Sequence, residues 1–206
     1  MADELVFGPL GASAAHLCID MQRLFAEDTD WKTPWMTRVA PNVARIAERA
    51  PERSVFTRFM PVEKPGQGQG TWKRYYERWH SMTIGELGEE MTDLMPELKA
   101  FVPPARVVKK NVYSPWIETD LHPTLKQQGI DTLIITGCET EMCVLAAVMG
   151  AIDLGYRVVL PTDALCSSAD ETHDAMIGIY KSRYGMQVET VTTDVVLEAW
   201  TPGRAG

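Results

Sequence analysis

The chain has 206 residues, 45% hydrophobic and 23% charged, which suits one soluble globular domain with a two-sided core. A net charge of −8 argues against nucleic acid or an anionic membrane surface as the main partner, and no apolar run approaches the ~20 residues of a bilayer span. Four cysteines (Cys18, Cys138, Cys143, Cys166) are too few for a disulfide scaffold, and they lie in or beside apolar segments, as reduced thiols in a cytoplasm do.

Residues 1–13 are acidic, lack the basic-then-apolar order of a signal peptide, and read as an N-terminal arm, poorly fixed unless it packs on a partner subunit. Residues 14–206 read as the domain. Ala14 to Ile19 is a short apolar strand ending on Asp20. A helix is expected from about Trp35 to Arg49, with Val39, Val43, Ile46 and Ala47 on one face and Pro41 near its start or at a kink. A second strand covers 54–57. From Met60 to about His80 the chain reads as loop, with glycines alternating over 66–70. That run lacks the strand–turn–helix setting of a phosphate cradle. Trp72, Tyr75, Tyr76 and Trp79 then follow at i, i+3, i+4, i+7, the spacing of helix packing, of a pocket wall or of a subunit interface.

Residues 87–98 read as weak helix or loop, and Arg106–Lys110 as a third strand with a basic end. A helix over 119–128 is closed by Gly129. The apolar run at 132–136 is a buried strand broken by Gly137, followed by a helix over 140–154 that places Cys143 in its first turn. Unpaired N–H groups and the positive end of the helix dipole should lower a thiol pKa there. The other reading of Cys143 is a small buried apolar residue. Residues 157–160 form the next strand, and Ser168 to Glu171 has the spacing of a capping box opening a helix to about Tyr184. A last strand at 188–191 and a short helix near 194–200 complete the chain.

Strands alternating with helices at this spacing imply a mainly parallel sheet covered on both faces by helices, with right-handed crossovers. Ligands bind such sheets at the carboxyl ends of the strands. Asp20, Lys110 and Cys143 all fall at such ends or just beyond. A carboxylate, an ammonium and a helix-terminal thiol on one rim would make a nucleophile with its base and charge stabiliser. Lys109 and Lys110 point to opposite faces, so only one of them can enter a given pocket.

The same residues carry a resemblance. Cys18-Ile19-Asp20-Met21-Gln22 with Phe25, Lys110-Asn111-Val112-Tyr113-Ser114-Pro115-Trp116, Gly137-Cys138-Glu139-Thr140-Glu141-Met142-Cys143-Val144 and Thr162-Asp163-Ala164 are similar to the motifs of the isochorismatase-like cysteine hydrolases. That family includes nicotinamidases, N-carbamoylsarcosine amidohydrolases and ureidoacrylate-type amidohydrolases, and the resemblance runs from about residue 14 to 192. It implies a single-domain, three-layer α/β/α Rossmann-like fold. It also implies a triad of Asp20, Lys110 and Cys143, choosing Lys110 over Lys109, and a cis peptide between Cys138 and Glu139. The backbone N–H groups of Glu139 and Cys143 would form an oxyanion hole. Glu139 stands where many relatives carry alanine.

The implied activity is cysteine-dependent hydrolysis of a C–N bond in a small amide, carbamoyl or ureido compound through a thioester. Alternatives are vinyl-ether hydrolysis of the isochorismatase type, a catalytically silent small-molecule-binding or scaffold protein, and a redox-sensing Cys143. Phe25, Arg58, Trp79, Tyr113, Trp116 and Met142 are candidates for substrate contact, Arg58 either for a substrate carboxylate or, equally, as a surface charge at a strand end. His173 is read as a structural histidine. Metal-binding nicotinamidases carry an aspartate and histidines after the second strand, where this chain has Thr57-Arg58-Phe59-Met60-Pro61. No metal and no cofactor is therefore expected. The expected partners are a small-molecule substrate and, through the arm and the aromatic stripe, further copies of the chain in a homo-oligomer.

Overall fold

The computed structural model describes residues 4–203. Seven strands form one sheet: β1 (Ala14–Ile19), β2 (Ser54–Phe59), β3 (Arg106–Lys110), β4 (Thr132–Cys138), β5 (Arg157–Pro161), β6 (Leu165–Cys166) and β7 (Val188–Val191). The helices are α1 (Arg23–Ala26), α2 (Met36–Arg49), α3 (Thr71–Arg78), α4 (Ile84–Leu87) and α5 (Pro96–Lys99) in the first half of the chain. In the second half they are α6 (Leu121–Gln127), α7 (Cys143–Asp153), α8 (Asp170–Arg183) and α9 (Thr193–Ala199). The strand order is β3-β2-β1-β4-β5-β7, every ladder between these strands is parallel, and β6 pairs with β4.

The chain winds outward from β1 to β3, then returns to the centre and winds the other way from β4. The switch point therefore lies between β1 and β4, where an open parallel sheet leaves a crevice at its carboxyl ends. Side chains alternate across the sheet with period 2. Ala14, Cys18, Ile134 and Cys138 face the core under α2, while Leu17, Ile19, Leu133 and Ile135 face the core under α7 and α8. Both faces are thus covered, which is why β1 and β4 are buried along their whole length.

Several local expectations change. Residues 71–78 are helix rather than loop, because the aromatic stripe packs one face of α3 against the domain. Strand β4 does not stop at Gly137. It runs on to Cys138 by exchanging partners, pairing with β5 at Thr132–Ile134 and with the two-residue β6 at Gly137 and Cys138. Gly137 is required there for two reasons. Its φ is +108°, and a Cβ would lie 2.1 Å from the Ile19 carbonyl oxygen. The capping box at Ser168 does not form, since α8 starts without a side-chain cap and the Ser168 N–H donates instead to Glu139 Oε1 at 3.1 Å. Residues 7–10 are fastened to their own chain. The Phe7 N–H donates to Glu189, Arg157 donates to the Gly8 carbonyl, and Leu10 is buried in a bridge with Trp200.

Candidate active site

Asp20, Lys110 and Cys143 come from the ends of β1 and β3 and the start of α7, and the sheet order brings them together. Asp20 follows six buried strand residues and adopts a left-handed φ of +49°. Thr57 on β2 holds it from two sides. The threonine hydroxyl donates to Asp20 Oδ1 at 2.6 Å and accepts from the Asp20 N–H at 3.1 Å. Gln22 braces the same turn, donating to the Phe59 and Thr92 carbonyls and accepting from the Phe59 N–H at 2.7 Å. Asp20 Oδ2 lies 2.6 Å from Lys110 Nζ, an ion pair without hydrogen-bond geometry. Both side chains are fully buried.

Lys110 Nζ also donates to the Val112 carbonyl at 3.1 Å and lies 3.4 Å from Cys143 Sγ. One ammonium therefore touches both the carboxylate and the sulfur. Burial opposes its charge, but Asp20 and Cys143 outweigh burial and hold its pKa above the ordinary lysine range. Cys143 is the first residue of α7, as expected, yet its thiol is not acidified. Burial pushes its pKa well up, Lys110 pulls it down, and the Asp20 carboxylate pushes it up again. A helix terminus acts from one side only, whereas desolvation acts on the whole sulfur. Burial and the Asp20 carboxylate thus both favour the protonated sulfur, and Lys110 opposes them.

The loop between β4 and α7 is fastened from below. Thr140 donates to the Cys166 carbonyl at 3.1 Å and bonds His173 Nδ1 at 2.8 Å, and Tyr180 donates to the Thr140 carbonyl. Glu141 Oε1 accepts from Ser167 at 2.6 Å and from Thr172. His173 is thus a brace for this loop. The Cys138–Glu139 peptide is cis. The Met142 and Val144 N–H groups both donate to the Glu139 carbonyl, while those of Glu139 and Cys143 donate to no backbone carbonyl among the described residues. Two backbone donors beside the Cys143 sulfur are thereby without a backbone partner among the described residues.

A cavity of about 320 Å³ opens over Cys143. Of the sequence candidates, Phe25, Trp79, Tyr113, Met142 and Glu139 line it. Arg58 does not. Its guanidinium donates to the Thr92 carbonyl and hydroxyl and pairs with Asp93 at 3.2 Å, so it secures the 89–93 turn to β2. Trp116 does not either. It lies on the α7 face of the sheet, stacked on Tyr156, its indole N–H donating to the Ala147 carbonyl and its ring filling the space that Gly150 leaves. Tyr75 lines the cavity together with Trp79, one of the roles open to the aromatic stripe, whereas Trp31 and Phe59 are cavity residues that the sequence reading did not select as contacts, Trp31 because it stands in a stretch without periodicity. The Thr162-Asp163-Ala164 motif is architectural: Asp163 Oδ1 accepts from the Thr193 N–H and hydroxyl at the start of α9, and Asn42 of α2 donates to Oδ2. Among the described residues no three His, Cys, Asp or Glu side chains gather to hold a metal ion, and no helix is long and apolar enough to cross a membrane.

A doubly wound parallel sheet with a thiol, a carboxylate and an ammonium at its switch point defines an α/β protein with a cysteine-centred site. The model of the isochorismatase domain matches residues 14–194, and the chain belongs to that family. It is 28% identical over 169 residues to a probable inactive nicotinamidase of Arabidopsis thaliana, covering 80% of this chain and 86% of that one. Over a shorter stretch of 79 residues it is 30% identical to a maleamate amidohydrolase of Pseudomonas putida, 38% of this chain and 37% of that one. Its fold matches the crystal structure of a cysteine hydrolase from Pseudomonas syringae with a TM-score of 0.80 at 21% identity, covering 97% of this chain and 98% of the other.

Proposed function

We propose that the protein is a cysteine amidohydrolase that cleaves a C–N bond in a small amide, carbamoyl or ureido compound. The observation that carries this reading is the shared Lys110 ammonium, 2.6 Å from Asp20 and 3.4 Å from Cys143 Sγ. Asp20 Oδ2 accepts the Cys143 proton, and Lys110 stabilises the thiolate as it forms. The sulfur attacks the carbonyl carbon, and the carbonyl π electrons move to oxygen, which the Glu139 and Cys143 N–H groups receive. Donors of this kind are worth about 3–4 kcal/mol each. The C–N bond then breaks, the nitrogen takes the proton from Asp20, and ammonia or an amine leaves a thioester on Cys143. Water, losing a proton to Asp20, attacks the thioester. The acid departs and the sulfur recovers its proton.

Because burial holds Cys143 protonated, the reading needs Asp20 as a base and not merely as a counterion. The four free, buried cysteines suit a reducing cytoplasm. The test is ammonia release from a panel of primary amides, ureido acids and nicotinamide by wild type and Cys143→Ala. The reading requires release that disappears with the sulfur. Turnover that survives in Cys143→Ala would contradict it, as would vinyl-ether cleavage without any amide turnover.

A further inference from the structure

The cavity over Cys143 has a polarity that C–N hydrolysis alone does not explain. Its wall is aromatic, and Trp31 stands at the centre of that wall. Its ring centroid lies 5.9 Å from Phe25, 5.9 Å from Phe59, 5.7 Å from Tyr75 and 6.4 Å from Trp79. The ionisable lining beyond the sulfur is mainly acidic, with Asp30, Glu139 and Glu141 against a single cation, Lys32. Lys32 is exposed and already pairs with Asp28 at 3.3 Å. The three carboxylates form no ion pair among the described residues, although Asp30 accepts from the Ser81 hydroxyl and Glu141 Oε1 from those of Ser167 and Thr172. Glu139 accepts one backbone N–H, and Glu141 Oε2 is buried without any hydrogen-bond partner.

Besides the exposed Lys32 of the lining, which pairs with Asp28, two further cations are committed elsewhere. Arg58 is spent on Thr92 and Asp93, and the charge of Lys110 is matched by Asp20. An anionic amide entering this space would therefore face carboxylates with no guanidinium to receive it. A flat cation would meet the opposite field. Aromatic faces carry negative potential, and nearby carboxylates in a partly desolvated cavity add to it. The glutamate at position 139 contributes directly, since it places a carboxylate in the lining next to the nucleophile.

Resting on the amidohydrolase reading, we propose that the substrate is an amide carried on an organic cation, a flat ring bearing a quaternary or protonated nitrogen. The cationic ring lies against Trp31, Tyr75 and Trp79, and its carboxamide points to Cys143. Specificity arises from the rim charge, which favours the cation and rejects carboxylate-bearing amides of the same shape.

The experiment uses Cys143→Ala, which binds without turnover, and three ring amides of similar size. These are the 3-carbamoyl-1-methylpyridinium cation, neutral nicotinamide and the 3-carbamoylbenzoate anion. Calorimetry should show the cation binding about tenfold tighter than the neutral ring, and the anion about tenfold weaker than it. Adding Glu141→Gln, which keeps an acceptor for Ser167 and Thr172, should cut the cation's advantage over nicotinamide about threefold or more. Equal binding of the three, strongest binding of the anion, no detectable binding of the cation, or an equal loss for cation and neutral ring in Glu141→Gln overturns the inference. Wild-type turnover separates the two levels. Cys143-dependent ammonia release from neutral or anionic amides, without cation binding, leaves the amidohydrolase reading standing and removes this inference. The stated binding order with no turnover of any amide keeps the cavity's preference for a cation but removes the amidohydrolase reading, and with it the cation's role as a substrate.

Discussion

Removing one partner of the Asp20–Lys110 pair should cost far more than half of what removing both costs. The charges lie 2.6 Å apart with no solvent exposure. At an effective dielectric of about 20 they attract by about 6 kcal/mol. Lys110→Met leaves the Asp20 carboxylate buried with only the Thr57 hydroxyl and no counterion, which should destabilise the fold by about 3–5 kcal/mol. Asp20→Asn should cost less, because Cys143 Sγ, 3.4 Å from Lys110, can ionise and replace the lost charge. The double variant has no buried charge to strand, so its loss should fall short of the sum by about 3 kcal/mol. Urea unfolding of the four proteins at pH 7.5 measures the cycle. Additivity within about 0.5 kcal/mol would refute the view that these side chains form one electrostatic unit.

Asp20→Asn should also alkylate faster than wild type with iodoacetamide at neutral pH while losing turnover, since the carboxylate raises the Cys143 pKa and Lys110 lowers it. Slower alkylation would contradict that sign. His16 bonds Ser54 and Thr136 in the core, and burial pulls its pKa from 6.5 to about 3. The unfolded chain therefore takes up this proton first, so the contribution of His16 to stability is full above pH 6.5 and is lost as pH falls toward 3. Between pH 6.5 and 4.5 wild type should lose about 2 kcal/mol more than His16→Gln, and parallel stability curves would exclude this. Gly137→Ala places a Cβ 2.1 Å from the Ile19 carbonyl oxygen at a φ of +108° and should cost more than about 4 kcal/mol, read as loss of soluble folded protein. A wild-type melting temperature would show that β1 and β4 can separate there.

The α/β architecture was legible because its signals are local: apolar runs of strand length, helices with one apolar face, and polar residues at the ends of the runs. The convergence of Asp20, Lys110 and Cys143 was legible because a parallel sheet collects its strand ends on one rim, and the family resemblance chose Lys110 over Lys109. The extension of β4 past Gly137 was not, because it depends on a partner change to β6, and two residues of strand leave no periodicity to read. The pKa of Cys143 was misjudged for a related reason. Helix position can be read from sequence, whereas desolvation depends on how α7 and β3 close over the sulfur. Arg58 and Trp116 show the same limit. Trp116 ends one of the motifs and Arg58 stands near the end of β2, but Thr92 and Asp93 claim the guanidinium and Gly150 receives the indole. Trp31, which organises the aromatic wall, lies in a non-repetitive stretch where only three-dimensional contacts give it a role.

The central claim is a covalent bond between the substrate acyl group and Cys143 Sγ. Rapid acid quench during turnover of an amide that releases ammonia, followed by peptide mass spectrometry, tests it directly. The expected result is an adduct of the acyl mass on the peptide carrying Cys143, forming in a burst, lost to hydroxylamine and absent from Cys143→Ala. Full turnover with no adduct at any quench time, or an adduct on another residue, would contradict the account.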